Sequence, residues 1–504
     1  MPFTPGRPLL VLLVLALVSG AVIALRPTPP RATLTYWIFA EAHRHELTPI
    51  LDGFAHERGI TYDLDLVAGN ALGTRLESLF MSQARGPQVP DLVHVEIHQV
   101  GRFFRPPVDG MGMLDLTPYF ETRGERRIST QGDPGHHGWA ARHDDGNIYV
   151  HDGSTWRLDP ARTRGDTWKD RIISARFAPW MKDGRIMGAP QDVHPMTITY
   201  RDDLFREAGV DLAACLTWPE FHRACLTMQD FWRAKGVQPR HAMELFESGS
   251  DLLQLMLLQR GVNLVEADGR VRLADPLVAE TLAFYAPLVT GPQRIGADAG
   301  LNIAVELDAG TICACFTPDW RIFYLRHHAP TDGAGNRKME GRLRMMPLPR
   351  FSASDAPTST WGGTCVIIPR TCPDPDLAFA AIERCFYSRE AADVRLRLGS
   401  MLPPLPELWD HPLLHQGDPL YGGQRINELF IELAPHLPQL VMTPATSLAM
   451  EALAQVQAKA VTRVRTLGTD GLVDACQVWL REAEHDLLRR IARLDLIRPD
   501  QSTP

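Results

Sequence analysis

Acidic, basic and indole side chains recur in this chain at the ends of segments that read as strands. Trp37 and Glu41 follow one such run, and Glu96 with His98 follows another. Asp192 and His194 stand two apart. Glu244 precedes an apolar run, Asp319, Trp320 and Arg321 are consecutive, and Trp361 opens a Trp-Gly-Gly triplet with Gly362 and Gly363. An indole presents a flat apolar face, while carboxylate, imidazole and guanidinium groups present directional donors and acceptors. Together they suit a small ligand with one apolar face and a rim of hydroxyls, and glycines would let backbone approach it closely. Each has a plainer reading. Trp37 lies in a strand pattern and fits a core, Glu41, Glu96 and Glu244 fit a solvated surface, and Trp218 belongs to a helix start.

Catalysis is the rival chemistry. Asp192 with Glu96 could form a carboxylate pair for hydrolysis. No Gly-x-Ser-x-Gly, His-Glu-x-x-His, phosphate-binding loop or Gly-x-Gly-x-x-Gly accompanies them. Asp133, His136, His137, His143, Asp144, Asp145 and His151 gather in sequence, but their spacing matches no metal pattern and reads better as a solvated loop. No cofactor is implied.

The 504 residues exceed a single core and suffice for two lobes. Hydrophobic residues make up 45% and charged residues 22%, as in ordinary globular proteins. A net charge of −8 gives no nucleic-acid footprint. Residues 1–30 stand apart: Arg7, an apolar run from Leu9 to Val18, then Ser19, Gly20 and Ala21. That order predicts a secretory signal, or an uncleaved N-terminal anchor, and puts the body in the periplasm or otherwise outside the cytoplasm. Of the eight cysteines, Cys215 with Cys225 and Cys365 with Cys372 could pair, although buried small apolar side chains suit most of them better.

The elements that must carry these groups alternate. Leu34 to Phe39 reads as a strand, 43–58 as a helix closed by Gly59, Tyr62 to Val67 as a strand, the stretch around Leu72, Leu76 and Leu79 as a helix, and Pro90 to Val95 as a third strand. This is an α/β lobe with a mainly parallel sheet. Residues 121–175 break the rhythm and read as an irregular polar insertion. Gly184 to Pro190 then reads as a hairpin running into an extended segment. Thr197 to Tyr200 reads as a strand, Asp202 to Ala208 as a helix stopped by Gly209, and Thr217 as an N-cap. Further helices are expected at Asp251 to Gln259, Leu277 to Leu288, and from Ala445 to Leu494 with breaks at Gly468 and Gly471.

The stretch 184–221 resembles the family 1 extracellular solute-binding proteins, the sugar-binding group that includes maltose-binding protein. The residues that carry it are Gly184, Gly188, Pro190, Tyr200, Asp203, Leu204, Phe205, Ala208, Gly209, Thr217, Trp218, Glu220 and Phe221, with Arg201 where the family usually has Asn. Pro90 to Val93, Met113 to Tyr119, Asp268 to Val271, Asp275-Pro276, Leu348-Pro349, Trp361 to Gly363 and Val366 to Pro369 fall in the family's order. The resemblance covers roughly 33–410.

The resemblance implies a two-lobed periplasmic-binding-protein fold of class II type: α/β lobes, crossover hinge strands and a ligand cleft. Lobe I would be 31–192 and 365–430, with 121–175 inserted, and lobe II 193–364 and 431–504. The implied role is the solute-binding subunit of an ABC-type importer, docking on membrane permease subunits. A sensor subunit that docks on a membrane receptor would use the same fold. The cleft would be lined by Trp37, Glu41, Glu96, Asp192, His194, Glu244, Asp319, Trp320, Arg321, Trp361 and Gly362. Arg321 is the candidate for an anionic group.

Overall fold

The computed structural model describes residues 11–12, 14–19, 31–83, 89–105, 110–121, 137–142, 148–152, 156–158, 167–237, 240–300, 302–331, 337–399 and 401–494. The apolar run expected as an export signal is helical where it is described. Among the described residues, no helix is long and apolar enough to cross a membrane.

The first sheet grows from the alternation read at the N-terminus. Strand β1 (Leu34–Ile38) lies parallel to β2 (Tyr62–Leu66) on one side and to β3 (Leu92–Glu96) on the other. Helix α1 (Glu41–Arg58) returns the chain between β1 and β2, and Gly59 ends it in the left-handed conformation at φ 63°. Helix α2 (Gly69–Ser82) leads to β3. Leu47, Ile50, Leu51 and Phe54 of α1 are buried against Leu34, Tyr36 and Ile38. A short strand, β4 (Ala189–Pro190), completes this sheet from a distance in sequence.

The second sheet is antiparallel. Strand β5 (Met196–Arg201) is antiparallel to β6 (Ala314–Pro318) and to β7 (Leu343–Met346). Met243–Glu244 lies parallel to Gly296–Ala297 in a separate two-stranded sheet, and an isolated parallel bridge joins His241 to Ile312 just before β6. Helix α3 (Trp218–Ala234) starts on a capping box in which Thr217 and Glu220 satisfy each other's backbone N–H groups. Trp218 is buried beside Phe221 and Phe316 and donates its indole N–H to Gln259, so it is structural. Helices α4 (Asp251–Gln259) and α5 (Pro276–Val289) complete this layer.

Strand β8 (Thr364–Ile367) returns the chain to the first sheet, antiparallel to both β3 and β4. The two crossovers therefore run side by side. Cys365 pairs with Pro190 in the first lobe, and Pro195 bridges Thr360 on the way to the second. Helix α6 (Asp319–His328) starts where β6 ends, against this ribbon.

Two expectations need correction. Residues 121–175 are not wholly irregular: 137–142, 148–152 and 156–158 form a three-stranded antiparallel sheet. The β-forming runs Ile148-Tyr149-Val150 and Trp156-Arg157-Leu158 are short and set among Gly, Asp and Arg, so periodicity did not expose them. The return segment also divides sooner than 430. Helices α7 (Pro375–Phe386) and α8 (Arg389–Leu398) pack mainly on the first sheet, but Leu402, Leu414, Tyr421 and Phe430, the last from helix α9 (Ile426–Leu433), share a core with Leu325 and Leu343. Tyr421 bonds Thr199 of β5 at 3.0 Å, and Gln424 pairs with the backbone of Met345. Helices α10 (Thr446–Leu467) and α11 (Leu472–Leu494), broken at Gly468 and Gly471, pack on α5.

All eight cysteines are free, six of them buried, and neither of the two possible pairs is formed. They act as small apolar side chains, and burial pushes the Cys385 thiol up to about 12. The melting temperature should therefore be the same with and without dithiothreitol. A fall of several degrees on reduction would show a structural disulfide.

Candidate functional site

The carboxyl ends of β1 and β3 and the middle of the crossover ribbon point to one region. Glu41 opens α1 after β1 and pairs with Arg44 at 3.3 Å. Glu96 ends β3, opposite Thr364, and accepts from the backbone N–H of His98. Trp37 is half-buried in β1 and packs against the cluster containing Val67, Leu72 and Cys365.

On the second lobe, Trp320 and Trp361 are both half-buried. Their rings meet edge to face at 5.7 Å, and the Trp320 indole N–H donates to the Trp361 carbonyl at 3.0 Å. This leaves a two-ring apolar corner at the ribbon. Arg321 lies 5.4 Å from the Trp361 ring centre, and Glu244 clamps its guanidinium through two bonds of 2.6 and 2.8 Å. Glu244 neutralises Arg321, so this residue supports the corner from beneath and is not the free cation expected for an anionic group.

Between the lobes lies a buried charge cluster. Asp192 receives two bonds from Arg176, at 2.7 Å to Oδ1 and 2.9 Å to its backbone carbonyl. Its other carboxylate oxygen accepts from the backbone N–H of Thr364 at 3.0 Å and lies 3.0 Å from His194 Nε2. His194 Nδ1 bonds Asp319, whose second oxygen accepts from the backbone N–H of Leu402 at 2.7 Å. Burial alone would push His194 down, but the two flanking carboxylates outweigh it and hold its pKa up at about 9. Asp192 is held well below the carboxylate range: burial raises it, but His194 and Arg176 prevail. His194 adopts φ 56°, a left-handed conformation uncommon for a residue with a Cβ, and the two carboxylates hold it there.

A second buried set sits behind this one. Arg395 reaches Glu46 at 3.4 Å and the Gln191 carbonyl at 2.9 Å. His43 and His94 meet through their Nδ1 atoms at 3.1 Å. Burial pushes Glu46 up to about 7 and His43 down to about 4.

A scan of family models matches residues 136–417, more than half of the chain, to the bacterial extracellular solute-binding protein family. The chain belongs to that family. The arabinooligosaccharide-binding protein of Halalkalibacterium halodurans is 21% identical over 288 residues, 55% of this chain and 61% of that protein. Its Bacillus subtilis counterpart is 22% identical, over 48% of this chain and 53% of its own length. The chain thus spans little more than half the length of these curated relatives. Among solved structures, the sugar-binding protein MalE of Xanthomonas citri superposes with TM-score 0.63 at 16% identity, covering 92% of this chain and 99% of that one. The GacH receptor of Streptomyces glaucescens, solved with acarbose, gives TM-score 0.63 at 16% identity, covering 90% and 98%. These likenesses show the two-lobed fold. The family's extracellular character matches the export pattern read at Arg7 to Ala21.

In this solute-binding protein the expected site residues separate into two groups. Trp37, Glu41, Glu96, Trp320, Trp361 and Gly362 keep some exposure around the ribbon. Asp192, His194, Glu244, Asp319 and Arg321 are buried, and their polar atoms are committed to one another and to backbone. Asp192 accepts from Arg176, His194 and Thr364, so it is a structural ion and not one of a pair with Glu96 for hydrolysis. The glycines also differ from expectation. A Cβ on Gly362 would meet Trp320 Nε1 at 3.2 Å, and one on Gly363 would meet Arg176 Nη2 at 2.2 Å. They admit the protein's own side chains. The grouped residues 133, 136, 137, 143–145 and 151 lie outside the described residues or in strands whose side chains are not described. Sequence reasoning missed Arg176, Glu46 and Arg395, because an isolated Arg or Glu within a helix carries no signal in the apolar periodicity.

The cluster dictates a pH dependence. His194 has a folded pKa above its unfolded one, so its contribution is complete below about pH 6.5 and is lost as pH rises through about 9. Glu46 and His43 act below about pH 7 and oppose each other. Denaturant unfolding between pH 7 and 8.5 should therefore show stability falling by about 2 kcal/mol. A level profile would contradict the charged state of His194. Arg321→Ala, which strands Glu244, should cost about 3–5 kcal/mol in the same assay.

Proposed function

We propose that this protein is the extracytoplasmic solute-binding subunit of an ABC-type importer, that it takes a neutral carbohydrate between its lobes, and that it performs no catalysis. The corner formed by Trp320 and Trp361 carries the carbohydrate reading. Two indoles in partial exposure, with Glu96 joined to the same ribbon opposite Thr364 and Glu41 following the neighbouring strand β1, offer an apolar face and hydroxyl acceptors. Family membership and the ligands of its relatives support the same assignment. The Arg7 to Ala21 pattern places the body outside the cytoplasm, released by cleavage or held by an uncleaved segment, where membrane permease subunits would be its partners. The first lobe comprises 31–192 and a return segment from 365. The second comprises 193–364 and the C-terminal helices, with 402–437 attached to it.

Contact with the sugar falls to Trp320, Trp361, Glu41, Glu96 and Trp37. A melting-temperature screen against arabinotriose, maltotriose, galactobiose, polyols and phosphorylated solutes tests this. A neutral oligosaccharide at a hundredfold over its dissociation constant should stabilise by about 2.7 kcal/mol. Trp320→Ala should weaken that ligand by about tenfold or more. Stabilisation by charged solutes only would overturn the carbohydrate reading. Hydrolysis of any sugar would overturn the non-catalytic one.

A further inference from the structure

Three segments passing between the lobe cores, 190–196, 358–365 and the stretch that reaches Leu402, meet at His194. Asp192, on the first, takes the backbone N–H of Thr364 on the second, and Asp319 takes that of Leu402 on the third. Asp319 also accepts from the backbone N–H of Trp320 at 2.8 Å and opens α6. Arg176, already bonded to Asp192, reaches the Thr360 hydroxyl at 3.5 Å, next to Trp361. Each indole of the apolar corner is therefore one residue from a group held in the cluster. On the first lobe, the Ile97 N–H donates to the Gly363 carbonyl at 3.0 Å, which ties the ribbon to the residue after Glu96.

We propose that His194 is a positioning residue: bridging Asp192 and Asp319 as an imidazolium, it fixes the Trp320–Trp361 corner relative to the first lobe and so tunes ligand affinity. It touches no ligand itself. Loss of its proton leaves a single ring N–H for two carboxylates, so one of them faces a bare ring nitrogen: Asp192 keeps Arg176 and the Thr364 N–H, and Asp319 keeps the N–H groups of Trp320 and Leu402. The bridge is then open at one end, and the Trp320–Trp361 corner is no longer fixed to the first lobe through it. The other titratable groups facing this cluster are Arg395 on α8, Glu46 and His43 on α1, His94 and Glu96 on β3, Cys365 on β8, and Tyr387 between α7 and α8. Of these, Glu46 feels the Asp319 charge, and a carboxyl group cannot replace the imidazolium there.

The affinity part rests on the proposed ligand site, but the bridge does not, and the test separates them. The full-length protein is followed from pH 7 to about 10.5 by proton NMR of the His194 ring, by tryptophan emission without ligand, and by calorimetric titration with arabinotriose. The wild type should show His194 titrating near 9, an emission change with the same midpoint, and an affinity loss of about five- to tenfold. His194→Asn, chosen because Asn tolerates the left-handed conformation, should give weaker binding at pH 7 and a level profile above it. Asp319→Asn should lower the His194 midpoint by removing one flanking carboxylate. If His194 titrates near its ordinary 6.5, or emission is level while the ring titrates, the bridge is wrong. If ring and emission move together but arabinotriose affinity does not, His194 holds the fold and leaves the ligand site unaffected. If arabinotriose does not bind, only the affinity part falls, and the wild-type ring and emission titrations still decide the bridge should a variant not fold.

Discussion

A protonated imidazole between two buried carboxylates is the interaction on which the arrangement of this molecule turns. Burying Asp192 and Asp319 is costly unless each is paired and fully hydrogen-bonded. The chain meets that demand with one histidine, one arginine and several backbone N–H groups drawn from segments far apart in sequence. Because those donors come from different crossings, satisfying the charges also sets the crossings against one another. The burial cost makes the cluster specific: a displaced crossing would strand a charge.

The rest of the site follows from that constraint. Trp320 and Trp361 are short steps along the backbone from the cluster, and Glu244 with Arg321 props them from the second-lobe core. Glu41 and Glu96 reach the same region from the first lobe because parallel strands bring their carboxyl ends to one edge, where α/β proteins bind ligands. The division of labour is physical. Side chains with all polar atoms bonded internally set geometry, and those with exposed surface are free for a ligand.

Much of the fold was legible in the chain. The alternation from Leu34 to Glu96 is visible in apolar spacing, Thr217 and Glu220 announce a helix start, and Gly468 and Gly471 mark the break between the last helices. The site was only half legible. Trp320 and Trp361 stand out by residue type, but Asp192, His194 and Asp319 carry the same residue types that a ligand site would use. Only tertiary structure shows that Arg176 and Thr364 have already claimed their lone pairs. The small strands of 137–158 were hidden for a different reason, since three short runs among polar residues give too few repeats for a period to emerge.

The two ends of the 121–175 segment are held together. Lys169 pairs with Glu121, and Tyr119 and Trp168 both pack on the first-lobe core. A loop whose ends are already joined adds little entropy cost as it lengthens, because closure depends only on the logarithm of its length. Here the lobe could acquire a small independent sheet without disturbing its own. The same junction is a natural point for exchange, where one sequence can replace another and the solute-binding frame beneath stays as it is.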